Sequence, residues 1–170
     1  MIHVALLRAV NVGGTGKLPM AELKALCEGC GFGEVRTYIA SGNVVLSSPA
    51  PPAQVKAALE RALAAYAGRP VGVAVRSADE LARALAANPF ADAAPNRAVI
   101  VFLDHPPPDD ALAHVRHRNG EGIALGEREI YIHYGDGIRE SKLRLPAAEA
   151  GTARNLNTVA RLLAMARGQA

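Results

Sequence analysis

The chain has 170 residues, half of them hydrophobic, and a formal charge of +3 from 19 basic and 16 acidic residues. That composition supplies a core for one domain or two small subdomains, while a mean hydropathy of +0.10, with no apolar run near the roughly 18 residues of a membrane helix, argues against a spanning segment. The modest charge forms no basic tail, the two cysteines are too few for a disulfide scaffold, and the N-terminus lacks signal-peptide features, which together predict a cytoplasmic protein with no membrane partner.

In chain order, the apolar run at residues 2 to 8 (IHVALLR) predicts a buried strand. A glycine-rich loop follows. Pro19 at the first helical position then opens a helix whose apolar face is Leu23, Leu26, Cys27 and Cys30 and which stops at Gly31. Residues 34 to 48 alternate Val35, Thr37 and Ile39 against Arg36 and Tyr38, with Ser41 to Asn43 as turn chemistry before VVLSS, so they predict a β-hairpin. After the prolines at 49, 51 and 52, helical spacing from Val55 to Tyr66 stops at Gly68 and leads into the strand VGVAVRS. The resulting order, βαββαβ, is that of the split βαβ or ferredoxin-like unit.

Ser77 and Glu80 form a capping-box pattern for a further helix to Asn88, and Ala98 to Leu103 is apolar throughout, as in a central strand. A helix from about Asp109 to Arg118, a hairpin of GIAL and EIYIHY joined through Gly126 and Glu127, and a last helix capped by Thr152 complete the expectation. The predicted fold is α+β: two ferredoxin-like subdomains with antiparallel sheets, at residues 1–77 and 78–170, and a C-terminal helix.

The stretches LLRAVNVGGTGKLPMAEL, GFGEVRTYIASGNVVLSS, NPF at 88 to 90, SKL at 141 to 143 and TARNLNTV at 152 to 159 occur in an order that resembles the bacterial proteins grouped as domain of unknown function 1697. The resemblance covers essentially the whole chain. It implies two ferredoxin-like halves in a cytosolic bacterial protein and supplies no activity or catalytic residues. Cys27 and Cys30 stand where the family's first helix would have leucines.

The loop from Gly13 to Lys17 fails the Walker pattern, because Asn11 stands where its first glycine would be and Leu18 follows Lys17; it also fails the dinucleotide fingerprint, whose third glycine is replaced by Pro19. What remains is Gly13, Gly14 and Lys17 beside a helix start, a setting for an anion or simply a turn with a solvated lysine. Cys27 and Cys30 have redox or half-zinc spacing, yet lie in a helix's last turn on its apolar face with no second pair, so they predict packed thiols and no metal. The first and third strands lack the aromatics on which RNA bases stack, and +3 diluted by 16 acids disfavours nucleic acid. No nucleophile, base and orienter assemble, and no cofactor is implied. Polar residues instead suggest a binding constellation: Arg8, Asn11, Lys17, Arg36, Ser41, Asn43, Arg154 and Asn155. The expectation is a small phosphate- or carboxylate-bearing ligand held between the two halves, with Arg154 and Asn155 near a helix start; the alternative is a nucleic-acid or protein interaction module without catalysis. Oligomeric state is not legible.

Overall fold

The computed structural model describes residues 1–11, 17–135 and 140–169. The chain folds as two compact units: unit 1 is Met1–Leu81 with Arg161–Ala170, and unit 2 is Ala82–Ala160. The apolar run at the N-terminus forms β1 (Ile2–Leu7), followed by α1 (Met20–Gly29), β2 (Gly33–Tyr38), β3 (Asn43–Ser47), α2 (Pro52–Ala67) and β4 (Val73–Ser77). All pairings are antiparallel in the order β2-β3-β1-β4, so the predicted split βαβ unit is present. Pro19 is the cap of α1 and not its first residue, and α1 closes at Gly29, slightly before the expected Gly31.

Period-2 alternation decides what unit 1 buries. Ala5, Leu7, Val44, Leu46, Val73 and Val75 share one core with Leu23 and Cys27 of α1 and with Val55, Leu59 and Leu63 of α2. Glu60 on α2 ties helix to sheet: its carboxylate accepts from Lys56 Nζ at 2.7 Å and from the Val73 amide at 3.2 Å. Gly68, at φ +71, takes the left-handed conformation that ends α2, as its position in the sequence predicts. Ser77 and Glu80 form the expected reciprocal capping box, at 2.9 and 3.1 Å, at the start of α3 (Ala78–Ala86).

Unit 2 contains β5 (Ala98–Phe102), β6 (Gly122–Leu125), β7 (Glu129–His133) and β8 (Thr152–Asn155), again antiparallel, in the order β6-β7-β5-β8. The two sheets therefore have the same strand order. The connections differ. Where the sequence predicts a helix from Asp109 to Arg118, only a 3₁₀ turn at Ala111–His114 forms, and Arg116 instead bridges Arg144 by paired backbone bonds. The segment offers too few apolar residues to bury a helical stripe: Leu112 is exposed, and His117 has a left-handed φ of +57. Val99, Val101, Ile130 and Ile132 pack with Leu145, while the Tyr131 hydroxyl, on the opposite face, donates to Ala84 O at 2.6 Å.

The last helix also differs from expectation. Thr152 does not cap it; residues 152 to 155 are β8, paired with β5, and α4 (Leu156–Ala166) begins after Asn155. Asn155 is the cap, its Oδ1 accepting the Thr158 amide at 2.9 Å. The helix buries Leu156, Val159, Leu162 and Met165, and Thr158 is buried with them. No described helix is long and apolar enough to cross a membrane.

Candidate functional site

Several polar residues singled out in the sequence serve the backbone. Asn11, at φ +57, receives the Leu18 amide on Oδ1 at 2.6 Å and donates through Nδ2 to Leu18 O at 2.9 Å and Ala40 O at 2.8 Å. One amide side chain thus closes the base of the glycine-rich loop and pins it to the β2–β3 turn. Asn43 is fully buried and donates to Tyr38 O and Ser41 Oγ at 2.8 and 2.9 Å, fixing that turn from inside. Gly42, between them, has φ +90 and lies so close to β1 that an added Cβ would sit 2.7 Å from Val10 Cγ2 and 2.9 Å from Leu7 Cβ. Arg36 donates to Met165 O at 2.7 Å and so caps the carbonyl end of α4.

In unit 2, Arg154 is not at a helix start. It lies on β8 opposite Ile100, with 8% of its surface exposed, and donates to Ala153 O at 2.9 Å. Burial presses its guanidinium down to about 10, which leaves it charged at neutral pH. Arg76 is its counterpart on β4, opposite Val4, and donates to Val75 O at 3.1 Å. The pair occupies matching places in the two sheets. Gly13 and Gly14 lie outside the described residues.

Cys27 and Cys30 are free thiols against the core of unit 1. Burial, with smaller contributions from Cys30 and Glu28, pushes the Cys27 thiol up to about 12, and burial also raises Cys30. Neither thiol is poised as a thiolate nucleophile.

One concavity gathers charge. At the end of unit 1 where β1 finishes and β4 begins, Lys17 and Arg69 line a cavity of about 300 Å³, walled by Val10, Leu18, Leu63 and Val71 with Tyr66 and Ala67 at its side. Arg8 lies at the same end: its amide bonds Gly72 O at 2.9 Å and its side chain runs over Gly72. Lys17 and Tyr66 are exposed and Arg69 is half-buried. The start of α1, three residues after Lys17, has no side-chain cap. Unit 1 as a whole holds ten of the 19 basic residues but only six of the 16 acidic ones. Sequence reasoning reaches Lys17 and Arg8 and misses Arg69 and Tyr66. Their only signal is position, an arginine directly after the helix-ending Gly68 and an aromatic on the last turn before it.

A family model described as a protein of unknown function, DUF1697, matches residues 1–131. The fold is similar to that of the conserved bacterial protein SP0830 from Streptococcus pneumoniae, with a TM-score of 0.78 and 24% identity over 97% of this chain and 98% of that one. No curated protein matches the sequence.

Proposed function

We propose, for a chain that belongs to the DUF1697 family of proteins of unknown function, that unit 1 binds a small organic anion bearing phosphate or carboxylate in the cavity of Lys17 and Arg69. The observation that carries this reading is the convergence of two cations on one concavity whose remaining walls, apart from the Tyr66 ring, are aliphatic. Such a site takes a ligand with a charged end and an apolar body, and its volume lies at the lower end of the range for small-molecule pockets. The positive end of the α1 dipole follows Lys17 closely in the chain, with Glu22 in its first turn opposing it.

The C-terminal end of α2 works against an anion. Tyr66 and Ala67 come from its last turn, where the dipole is negative. Lys17 and Arg69 must outweigh it, so affinity should depend steeply on them. A thermal-shift panel of inorganic phosphate, sugar phosphates, nucleotides, dicarboxylates and a short oligonucleotide tests the reading, since a ligand at 100 times its dissociation constant stabilises by about 2.7 kcal/mol. Lys17→Ala should weaken the best hit by about tenfold or more, the value of one charged hydrogen bond, while the ligand-free protein unfolds as before because the lysine is exposed. Two results would defeat the proposal: no anion in the panel shifts unfolding, or the hit binds Lys17→Ala and Lys17→Glu as tightly as the parent. An oligonucleotide that binds with a steep salt dependence would favour a nucleic-acid partner instead.

A further inference from the structure

Unit 2 sets two like charges directly opposite each other. Arg116 and Arg144 form an isolated antiparallel bridge in which the Arg116 amide donates to Arg144 O at 2.8 Å and the Arg144 amide to Arg116 O at 2.9 Å. Residues opposed in this way have backbones about 5.5 Å apart and side chains on one face. The alternate positions, Val115, Leu143 and Leu145, pack on the core of unit 2, so the two guanidiniums share the outer face, and both residues are exposed. Among the described residues neither guanidinium has an ion-pair or hydrogen-bond partner. Like charges opposed across a strand pair are destabilising, and an anion held by both reverses the sign. The surroundings concentrate the charge further. Unit 2 holds nine of the 19 basic residues and ten of the 16 acidic ones, yet residues 111–120 and 141–148 carry Arg116, Arg118, Lys142 and Arg144 and no acid. The two segments are stitched a second time at the buried Glu121: its Oε1 accepts the Asn119 amide at 2.5 Å and its Oε2 the Ser141 hydroxyl at 2.8 Å, while Arg118 Nε donates to Glu121 O at 2.9 Å. Both oxygens of this carboxylate are thus committed to the scaffold and not to Arg116 or Arg144.

We propose that Arg116 and Arg144 together bind the phosphate group of a small phosphate monoester, at a site built from residues of unit 2 alone. Each guanidinium presents a planar fork that takes two oxygens of an oxyanion. A carboxylate has two oxygens and one charge, enough for one fork. A phosphate monoester has three free oxygens and close to two charges at neutral pH, enough for both. Clustered arginines are a general means of holding phosphate groups. Arg144 also lines a cavity of about 160 Å³ with Tyr134, Leu143 and Leu145, which leaves room for a small substituent only. Glu149 lies on the same wall and opposes an anion, so the two guanidiniums must outweigh it and neither suffices alone.

Amide NMR titration of the full chain with methyl phosphate, sulfate and acetate at constant ionic strength tests this. Methyl phosphate should shift the amides of residues 115–118 and 142–145 along saturable curves, and sulfate, another tetrahedral dianion, should do the same. Acetate should bind at least about tenfold more weakly, the value of one charged hydrogen bond. Arg116→Gln and Arg144→Gln should each weaken methyl phosphate by about tenfold or more. Without ligand, both variants should unfold at the parent's urea midpoint or above it, because each removes the repulsion; a lower midpoint would mean that the arginines serve the fold, and it overturns the proposal. So do the absence of saturable shifts in these two segments, acetate binding as tight as methyl phosphate, or Gln variants that keep the parent's affinity. Shifts confined to Arg69 and Val71 overturn it as well, while leaving the reading of the unit 1 cavity intact.

Discussion

Replacing His3 should make the protein more stable. Its ring is fully buried on β1, paired in register with Leu46 and Ser77, and among the described residues neither Nδ1 nor Nε2 has a hydrogen-bond partner. A buried polar group left without a partner costs about 1 to 3 kcal/mol relative to its hydrated state. The same side of the strand carries Ala5 and Leu7 into the core, so a leucine at position 3 meets an apolar environment. His3→Leu removes the penalty, keeps most of the volume and adds apolar surface. We expect a gain of about 1 to 3 kcal/mol, read as a higher urea midpoint with an unchanged m value. His3→Ala serves as the control: it removes the same nitrogens but leaves a cavity, whose cost offsets the gain. If His3→Leu lowers stability by more than about 1 kcal/mol at constant m, the imidazole makes a bond worth keeping and the reasoning is wrong.

Gly42→Ala should destabilise unit 1 by about 2 to 4 kcal/mol, because a left-handed φ and a collision with Val10 and Leu7 act together; urea unfolding measures this, and a loss under about 0.5 kcal/mol would mean the turn moves freely. Cys27 predicts an alkaline limit. With its pKa raised from 9.0 to about 12 in the folded state, the native protein keeps a proton that the unfolded chain gives up. Its stabilising contribution is therefore intact below about pH 9 and lost between there and about pH 12, at up to about 1.4 kcal/mol per unit. Cys27→Val should flatten that slope, and an equally steep loss in the variant would assign it elsewhere.

Sequence pattern reveals the elements whose local and tertiary signals agree. The β2–β3 hairpin alternates with period 2 and turns on Ser41 to Asn43, and the Ser77–Glu80 capping box is a purely local device. Unit 2 is harder. Thr152 to Asn155 satisfies the rule for a helix cap followed by a stripe, yet alternation buries Thr152 and Arg154, and an inward arginine gives no strand signal. The segment from Asp109 to Arg118 has helical spacing without the apolar mass to stabilise it. Among candidate site residues the ambiguity is chemical: the amide and guanidinium groups that would hold a ligand are equally suited to backbone carbonyls. Asn11, Arg36, Asn43 and Asn155 all take part in backbone bonds. Arg69 and Tyr66 meet Lys17 only through the fold, since some fifty residues separate them in the chain.

The bonds of Asn11 have a consequence for how this chain can diversify. Because one side chain joins Leu18 and Ala40, the stem of the glycine-rich loop is fastened independently of the residues it encloses. Closure entropy grows only logarithmically with length, so doubling an enclosed loop costs about 0.6 kcal/mol. The sequence between Asn11 and Lys17 can therefore change in length or composition at small cost to the stability of unit 1.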